Sequence, residues 1–185
     1  MKLTQEQKSL IRRRNIALIG FMGVGKTTIS RTLCGMLGLT EADTDREIVA
    51  REGMPITQIF AEKGEPYFRS VETQVVRSLQ EKNALVISCG GGVAMRQENV
   101  DALRTGSRIV LLTATPETIL SRVGHSTDRP LLNGHMNVEY IAQLMEARRP
   151  RYEAAADITV ATDGRSVGRI AEEIVQRILA SEQDA

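Results

Sequence analysis

The chain has 185 residues, a formal net charge of +1 and 42% hydrophobic residues. This length suits one domain with a sizeable core, and we expect residues 1–185 to form it. The charge gives no indication of a nucleic-acid partner or an acidic membrane surface. No apolar run approaches the ~18 residues of a membrane span, and no signal-peptide pattern is present. We therefore expect a cytoplasmic protein.

The N-terminal residues predict a short helix followed by a basic run. Thr4 and Gln7 have the spacing of a capping box, which predicts a helix through residue 11. Residues 12–14 are all arginine, either an anion-binding patch or, as we favour, a solvated charge run. The two cysteines, Cys34 and Cys89, lack metal-ligand spacing, and we expect both to be reduced.

A phosphate-binding loop follows the first predicted strand. Residues 16–19 are apolar, and residues 20–27 read G-F-M-G-V-G-K-T, a complete G-x-x-x-x-G-K-[ST] pattern. Glycines at 20, 23 and 25 permit positive φ and a close approach to an anion. The loop N–H groups, Lys26 and the Thr27 hydroxyl are suited to phosphates and Mg²⁺. The loop indicates a nucleoside triphosphate but does not identify the reaction.

Two carboxylates follow the first long helix, which we predict over residues 28–37. If residues 40–44 form a strand, Asp43 and Asp45 project from one face at its carboxyl end, where α/β sheets bind ligands. One carboxylate could then support magnesium and the other a substrate hydroxyl. Alternatively, Asp45 caps a helix over residues 46–51. Beside the phosphate-binding loop we favour the functional interpretation.

The middle of the chain alternates predicted helices and strands. Helices are expected over residues 56–63 and 67–79, separated by a break at 64–66. Arg69 lies near the start of the second helix, either in an exposed salt bridge or in a site. A strand over 84–88 ends at a glycine triplet, Gly90 to Gly92, which either admits a ligand or forms a flexible turn. A helix over 97–104, a strand over 108–113 and a helix over 116–123 follow.

Residues 124–137 have no hydrophobic period, and we interpret them as a lid that closes Arg129 on the phosphates. The two histidines in this segment are expected to be incidental. We predict a helix over 138–148 ended by Arg149 and Pro150, a strand over 158–160 and a helix over 167–179. Residues 181–185 should fray. The alternation predicts an α/β fold with a mostly parallel sheet.

Taken together, the motifs resemble those of the shikimate kinase family. They are the loop above, D-T-D at 43–45, G-E-P-Y-F-R at 64–69, the glycine triplet, R-P-L-L at 129–132 and R-R-P-R-Y at 148–152. The resemblance implies a three-layer P-loop NTPase fold of the nucleoside-monophosphate-kinase-like group. Its five-stranded parallel sheet has the order 2-3-1-4-5. It also implies a shikimate-binding segment at about 41–80 and a lid at about 124–137.

The activity implied by the resemblance is transfer of the γ-phosphate of ATP to the 3-hydroxyl of shikimate, in aromatic amino-acid biosynthesis. The implied nucleotide-binding residues are Gly23, Val24, Gly25, Lys26, Thr27, Thr28, Arg122, Arg129 and Arg165. Thr27 and Asp43 would hold Mg²⁺. Shikimate would be bound by Asp45, Arg69, Gly91, Gly92 and Arg148, with Asp45, Lys26 and Arg129 catalytic. We expect a monomer.

Alternatives include a related kinase acting on another polyol such as gluconate, and a nucleotide-dependent binding module without transfer activity. A GTPase is disfavoured because the sequence has no N-K-x-D motif.

The chain departs from the family pattern at Ala42, before the first aspartate, and at Arg151. Arg149 lies beside Arg148, and the motif spacing favours Arg148 as the carboxylate ligand.

Overall fold

The computed structural model describes residues 3–123 and 137–183. Within these ranges five strands form one parallel sheet: β1 (Asn15–Ile19), β2 (Thr40–Asp43), β3 (Leu85–Ser88), β4 (Ser107–Thr113) and β5 (Ile158–Ala161). Their order is β2-β3-β1-β4-β5, and every neighbouring pair is parallel. The predicted strand order is confirmed, and it places the carboxyl ends of β1, β2 and β3 side by side.

Helices cover both faces of the sheet. They are α1 (Gln5–Ile11), α2 (Lys26–Leu37), α3 (Thr44–Glu52), α4 (Ile56–Gln80), α5 (Gln97–Gly106), α6 (Pro116–Val123), α7 (Val138–Ala155) and α8 (Val167–Gln183), with a 3₁₀ turn at Val93–Met95. Ile16 and Leu18 of β1 pack into one core, whereas Ala17 and Ile19 pack into a second core on the opposite face. Burial on both faces explains why this strand is a continuous apolar run. The three-layer prediction is confirmed.

The N-terminal segment is tied to the rest of the fold by its arginines. The capping box at Thr4 and Gln7 is present, as predicted. Arg12 is exposed, yet its Nη2 donates to the carbonyl oxygens of Leu37 at 2.7 Å and Gly38 at 3.2 Å, where α2 ends. Cations are favourable at a helix C-terminus. Arg12 is therefore more than a solvated charge, and it lies at the opposite end of α2 from the phosphate-binding loop.

Two helices run further than the sequence predicts. The helix expected to stop at residues 149–150 continues through Pro150 to Ala155, so that prediction was wrong. Proline removes one backbone hydrogen bond, but burial of Tyr152 and Ala155 in the core offsets that loss. The last helix reaches Gln183, four residues beyond the predicted end at residue 179.

Two further predictions concern α3 and α4. β2 ends at Asp43 and α3 begins at Thr44, two residues earlier than the predicted helix. The predicted break between the two middle helices is present at Gly64, whose φ of 79° and ψ of 170° are not helical.

No helix in the described ranges combines the length and apolar content that a membrane crossing requires.

Candidate active site

The phosphate-binding loop has the geometry that its sequence predicts. Gly20, Gly23 and Gly25 all have positive φ, at 137°, 79° and 100°. Gly25 is the N-cap of α2 and provides no side-chain acceptor for the N–H groups of the first turn. These N–H groups and the positive end of the helix dipole are suited to bind an anion.

Lys26 lies over this loop. Its Nζ donates to the carbonyl oxygen of Gly20 at 2.8 Å and to that of Phe21 at 3.0 Å. These bonds hold the ammonium group beside the turned backbone, at the start of α2. The loop therefore presents both oriented N–H groups and a full positive charge to the cleft above it.

A cleft of about 500 Å³ opens from the loop along the carboxyl edge of the sheet. Its walls come from the loop, from the ends of β2 and β3, and from the segment joining β5 to α8. The predicted site residues that line it are Gly23, Val24, Gly25, Lys26, Thr27, Thr28, Asp43, Asp45, Gly91, Arg122 and Arg165. Among the predicted acceptor residues, Asp45 and Gly91 line the cleft, whereas Arg69, Gly92 and Arg148 are not among its lining residues.

The two aspartates reach the cleft from different elements. Asp43 ends β2 and is the N-cap of α3, where its Oδ1 accepts from the N–H groups of Asp45 at 3.1 Å and Arg46 at 3.2 Å. Asp45 lies in the first turn of that helix. The prediction that both project from one strand was therefore wrong, because the chain turns helical at Thr44. The predicted cap was also misplaced, since Asp43 and not Asp45 has this role.

Asp45 lies against the glycine triplet. A Cβ added to Gly90 would be 2.5 Å from Asp45 Oδ1. The Gly90 N–H donates to the Thr44 hydroxyl at 2.8 Å, which fixes the triplet to the start of α3. Glycine at position 90 is therefore required for the approach of the carboxylate rather than for a flexible turn.

Arg69 lies beside the same triplet, where a Cβ on Gly92 would overlap its guanidinium. Its Nη1 donates to both carboxylate oxygens of Glu72 at 3.1 Å, and its Nη2 pairs with Glu65 at 3.1 Å. Glu72 is only 1% exposed and also accepts from Asn99 Nδ2 at 3.4 Å. The predicted salt bridge exists, but its main partner is a buried carboxylate that fixes the guanidinium.

Arg148 reaches the triplet from α7. A Cβ on Gly91 would be 4.0 Å from Arg148 Nη1 and 3.8 Å from the Tyr152 hydroxyl. The Arg148 guanidinium carbon lies 5.7 Å from the centre of the Phe21 ring. Its neighbour Arg149 points elsewhere and pairs with Glu146 at 2.6 Å, with 59% of its side chain exposed. Of the two adjacent arginines, the structure brings Arg148 to the site.

These elements agree with comparisons to known proteins. A family model described as Shikimate kinase matches residues 22–179. A protein named Shikimate kinase from Dehalococcoides mccartyi is 41% identical over 166 residues, which are 90% of this chain and 94% of that protein. The chain belongs to the shikimate kinase family. It is accordingly an ATP-dependent kinase that acts on a small molecule.

Solved structures lead to the same family. The shikimate kinase from Acinetobacter baumannii in complex with shikimate has a TM-score of 0.87 and 34% identity, covering 95% of this chain and 98% of that one. A gluconokinase from Sinorhizobium meliloti has a TM-score of 0.62 and 16% identity, covering 94% of this chain and 95% of that one. The second likeness shows the shared fold alone.

Arg122 has contacts that its sequence position did not predict. Its Nη1 donates to the carbonyl oxygens of Gly23 and Val24, each at 3.3 Å, and to the Thr162 hydroxyl at 3.0 Å. It therefore braces the back of the phosphate-binding loop from α6. Arg165 pairs with Glu173 at 2.5 Å at the rim of the cleft. Arg129 and the predicted lid at 124–137 lie outside the described residues, apart from Asn137.

Sequence reasoning assigned no role to two buried residues of the site, Glu72 and Tyr152. Glu72 could have been found, because it lies three residues after Arg69 on a predicted helix and so faces it. Tyr152 belongs to the R-R-P-R-Y motif, but its place beside Arg148 on one helix face was not predicted, because the predicted helix ended before it. The two cysteines are free, as expected, and burial raises the pKa of Cys89 to about 12, so this thiol stays protonated.

Proposed function

We propose that the cleft transfers the γ-phosphate of ATP to the 3-hydroxyl of shikimate, giving shikimate 3-phosphate and ADP. The observation that carries this proposal is the convergence of three side chains on one glycine triplet beside the phosphate-binding loop. Asp45, Arg69 and Arg148 approach Gly90, Gly92 and Gly91 respectively. The family membership identifies the chemistry, and this convergence supplies a matching acceptor site.

In this proposal the loop and Lys26 hold the phosphates, and Thr28 adds a donor in the first turn of α2. Phosphoryl transfer is catalysed mainly by positioning and by charge stabilisation, so a rigid loop is an advantage. Arg122 contributes to that rigidity through its bonds to Gly23 and Val24. We place adenine near Arg122 and Arg165, and we retain Arg129 as the cation that closes on the transferring group.

Thr27 and Asp43 would hold Mg²⁺. Both line the cleft, and a hydroxyl and a carboxylate are the hard oxygen donors that this ion prefers. The capping bonds to Asp43 Oδ1 fix the orientation of its carboxylate. Bound Mg²⁺ would neutralise phosphate charge. Among the described residues, no group of three or more His, Cys, Asp or Glu side chains is placed to hold a metal ion.

On the acceptor side, Asp45 would hold the 3-hydroxyl, and Arg69 and Arg148 the carboxylate. A planar guanidinium can bind a carboxylate through two parallel hydrogen bonds, which a lysine cannot reproduce. Gly91 lies beside Arg148 and Gly92 beside Arg69. The non-reacting carboxylate then orients the reacting hydroxyl toward the γ-phosphate.

We further propose that residues 1–185 act as one cytoplasmic domain and as a monomer, without a nucleic-acid or membrane partner. The test of the proposed reaction is ADP release with ATP and Mg²⁺ in the presence of shikimate, of gluconate or of no acceptor. Shikimate alone should stimulate release. Stimulation by gluconate, or by neither compound, would reject the assignment of the acceptor.

A further inference from the structure

The hydroxyl of Tyr152 lies between α7 and the glycine triplet. It donates to the carbonyl oxygen of Gly91 at 2.6 Å. The side chain is 5% exposed, and its ring packs in the core formed with β1, α4 and α5. Arg148 faces the same hydroxyl, and its charge and hydrogen bonding act on the phenol. One buried hydroxyl thus binds Gly91, and the hydroxyl and Arg148 Nη1 lie 3.8 Å and 4.0 Å from the position of a Cβ on that residue.

The course of α7 is what creates this arrangement. Arg148 and Tyr152 are four residues apart, so a continuous helix places them on the same face. Pro150 lies between them and interrupts the backbone hydrogen bonds, yet the helix continues to Ala155. A helix that ended at residue 149 would not hold Tyr152 beneath Arg148. The continuation of α7 through Pro150 therefore places Tyr152 beside Arg148 in the acceptor site.

The phenol is held in its protonated form. Burial raises the pKa of Tyr152 above its usual value of 10, and Arg148 opposes only part of that rise. At neutral pH the hydroxyl is therefore a donor, as its bond to Gly91 requires, and its lone pairs can accept from the guanidinium. The Arg148 guanidinium carbon also lies over the Phe21 ring, 5.7 Å from its centre.

The two arginines of the site are held by groups of different charge. Arg69 pairs with the carboxylates of Glu65 and Glu72, which balance its positive charge. For Arg148, no ion pair with a carboxylate is present in residues 3–123 and 137–183. A neutral anchor fixes the Arg148 guanidinium without cancelling its charge, so that charge is available to an anion.

We propose that Tyr152 is a positioning residue that sets Arg148 and the Gly91 peptide for the carboxylate of the acceptor. It thereby determines the preference for acidic acceptors. This inference rests on the proposed function, since it assigns the selectivity of the same site. Tyr152 does not contact the transferring phosphate in this account and acts only through its two partners.

The test is Tyr152→Phe, which keeps the ring in the core and removes only the hydroxyl. We expect the KM for shikimate to rise about tenfold, the scale of one lost hydrogen bond to a charged group, with the KM for ATP unchanged. The preference for shikimate over its carboxamide should fall by a similar factor. In an Arg148→Lys background the same change should have a much smaller effect, because the two residues act as a unit.

Ser107→Ala is the matched control. Ser107 is also buried, and its hydroxyl donates to Gln80 Oε1 at 2.6 Å away from the cleft. It should lower the melting temperature as much as Tyr152→Phe but leave both KM values unchanged. Additive effects with Arg148→Lys, an unchanged acid-to-amide preference or loss of the fold in Tyr152→Phe would each overturn the inference. A wild-type protein that does not phosphorylate shikimate would instead refute the proposed function.

Discussion

Gly90 and Asp45 approach so closely that a single Cβ on residue 90 would lie 2.5 Å from Asp45 Oδ1. The contact joins the end of β3 to the first turn of α3. It also explains why glycine stands at position 90, two residues after β3: a larger residue would occupy the position of the carboxylate. The glycine triplet is thus part of the acceptor site and not a loose connection.

Gly90→Ala should therefore displace the Asp45 carboxylate while the fold persists. The added methyl group meets a side chain rather than backbone, so Asp45 moves instead of the sheet. We expect kcat to fall on the order of 10²-fold, as expected for a misplaced reacting group. The control is Gly35→Ala in α2, where a Cβ meets nothing within 4 Å. That change should stabilise the helix by about 0.5–1 kcal/mol and leave kcat unchanged. Equal activity in both variants would contradict the proposed contact.

The two aspartates should respond differently to replacement by asparagine. Asp45→Asn should lower kcat on the order of 10²–10⁴-fold with little change in nucleotide affinity, because it removes the charge that orients the hydroxyl. Asp43→Asn keeps an acceptor for the N-cap bonds to residues 45 and 46, but it should raise the Mg²⁺ concentration needed for activity. Steady-state kinetics and ADP binding with varied Mg²⁺ measure both effects. If Asp45→Asn changes mainly nucleotide affinity, the two roles are exchanged.

Arg148 and Arg149 offer a comparison between adjacent residues of identical type. Arg148→Lys should raise the KM for shikimate by about 30-fold or more, because loss of a desolvated guanidinium–carboxylate pair costs about 2–5 kcal/mol. Arg149→Lys should have almost no effect, since its guanidinium is exposed and pairs with Glu146. Kinetics with shikimate and its carboxamide measure the difference. Greater damage from Arg149→Lys would show that the carboxylate is bound by the other arginine.

Glu72 should make stability depend on pH. Burial raises the pKa of its carboxyl above the usual 4.5, and the nearby Arg69 lowers it only in part. The folded state therefore binds this proton more tightly than the unfolded state. This contribution to stability is complete below about pH 4.5 and is lost as the pH rises through the raised pKa.

Glu72→Gln should remove that loss. The free energy of unfolding of the variant relative to wild type should increase as the pH rises from about 4.5 toward 7. Urea unfolding of both proteins at several pH values measures this difference. The contributions of the other titrating groups are the same in both proteins and cancel. Glu65→Gln is the control, because Glu65 also pairs with Arg69 but is 62% exposed. A difference that is constant or that decreases with pH would show that burial does not dominate the pKa of Glu72 and that the ion pair with Arg69 offsets it.

Most of the fold was predictable because its signals are local. The apolar run at 16–19, the glycine pattern at 20–27 and the Gly64 break each depend on neighbouring residues, and each is confirmed. The errors occurred where tertiary packing overrides a local signal. Pro150 should end a helix, but burial of Tyr152 carries α7 past it.

The candidate site shows the same division. Sequence placed Asp45, Arg69 and Arg148 in it through motifs that the family shares. It did not reveal that Asp43 caps α3, because the predicted helix began at residue 46 and α3 begins at Thr44. It could not reveal the long-range bonds of Glu72 and Tyr152 either, since Asn99 lies 27 residues from Glu72 and Gly91 lies 61 residues from Tyr152.

The central claim is that the γ-phosphate of ATP reaches the 3-oxygen of shikimate. The most direct measurement uses ATP labelled in the γ-phosphate, with shikimate and Mg²⁺, and follows the label into the purified product. Phosphorus–proton coupling in that product then locates the oxygen that carries the phosphate. The account predicts one labelled product, phosphorylated at the 3-oxygen, with ADP formed in equal amount. Label found only in inorganic phosphate, or on another oxygen of shikimate, would contradict it.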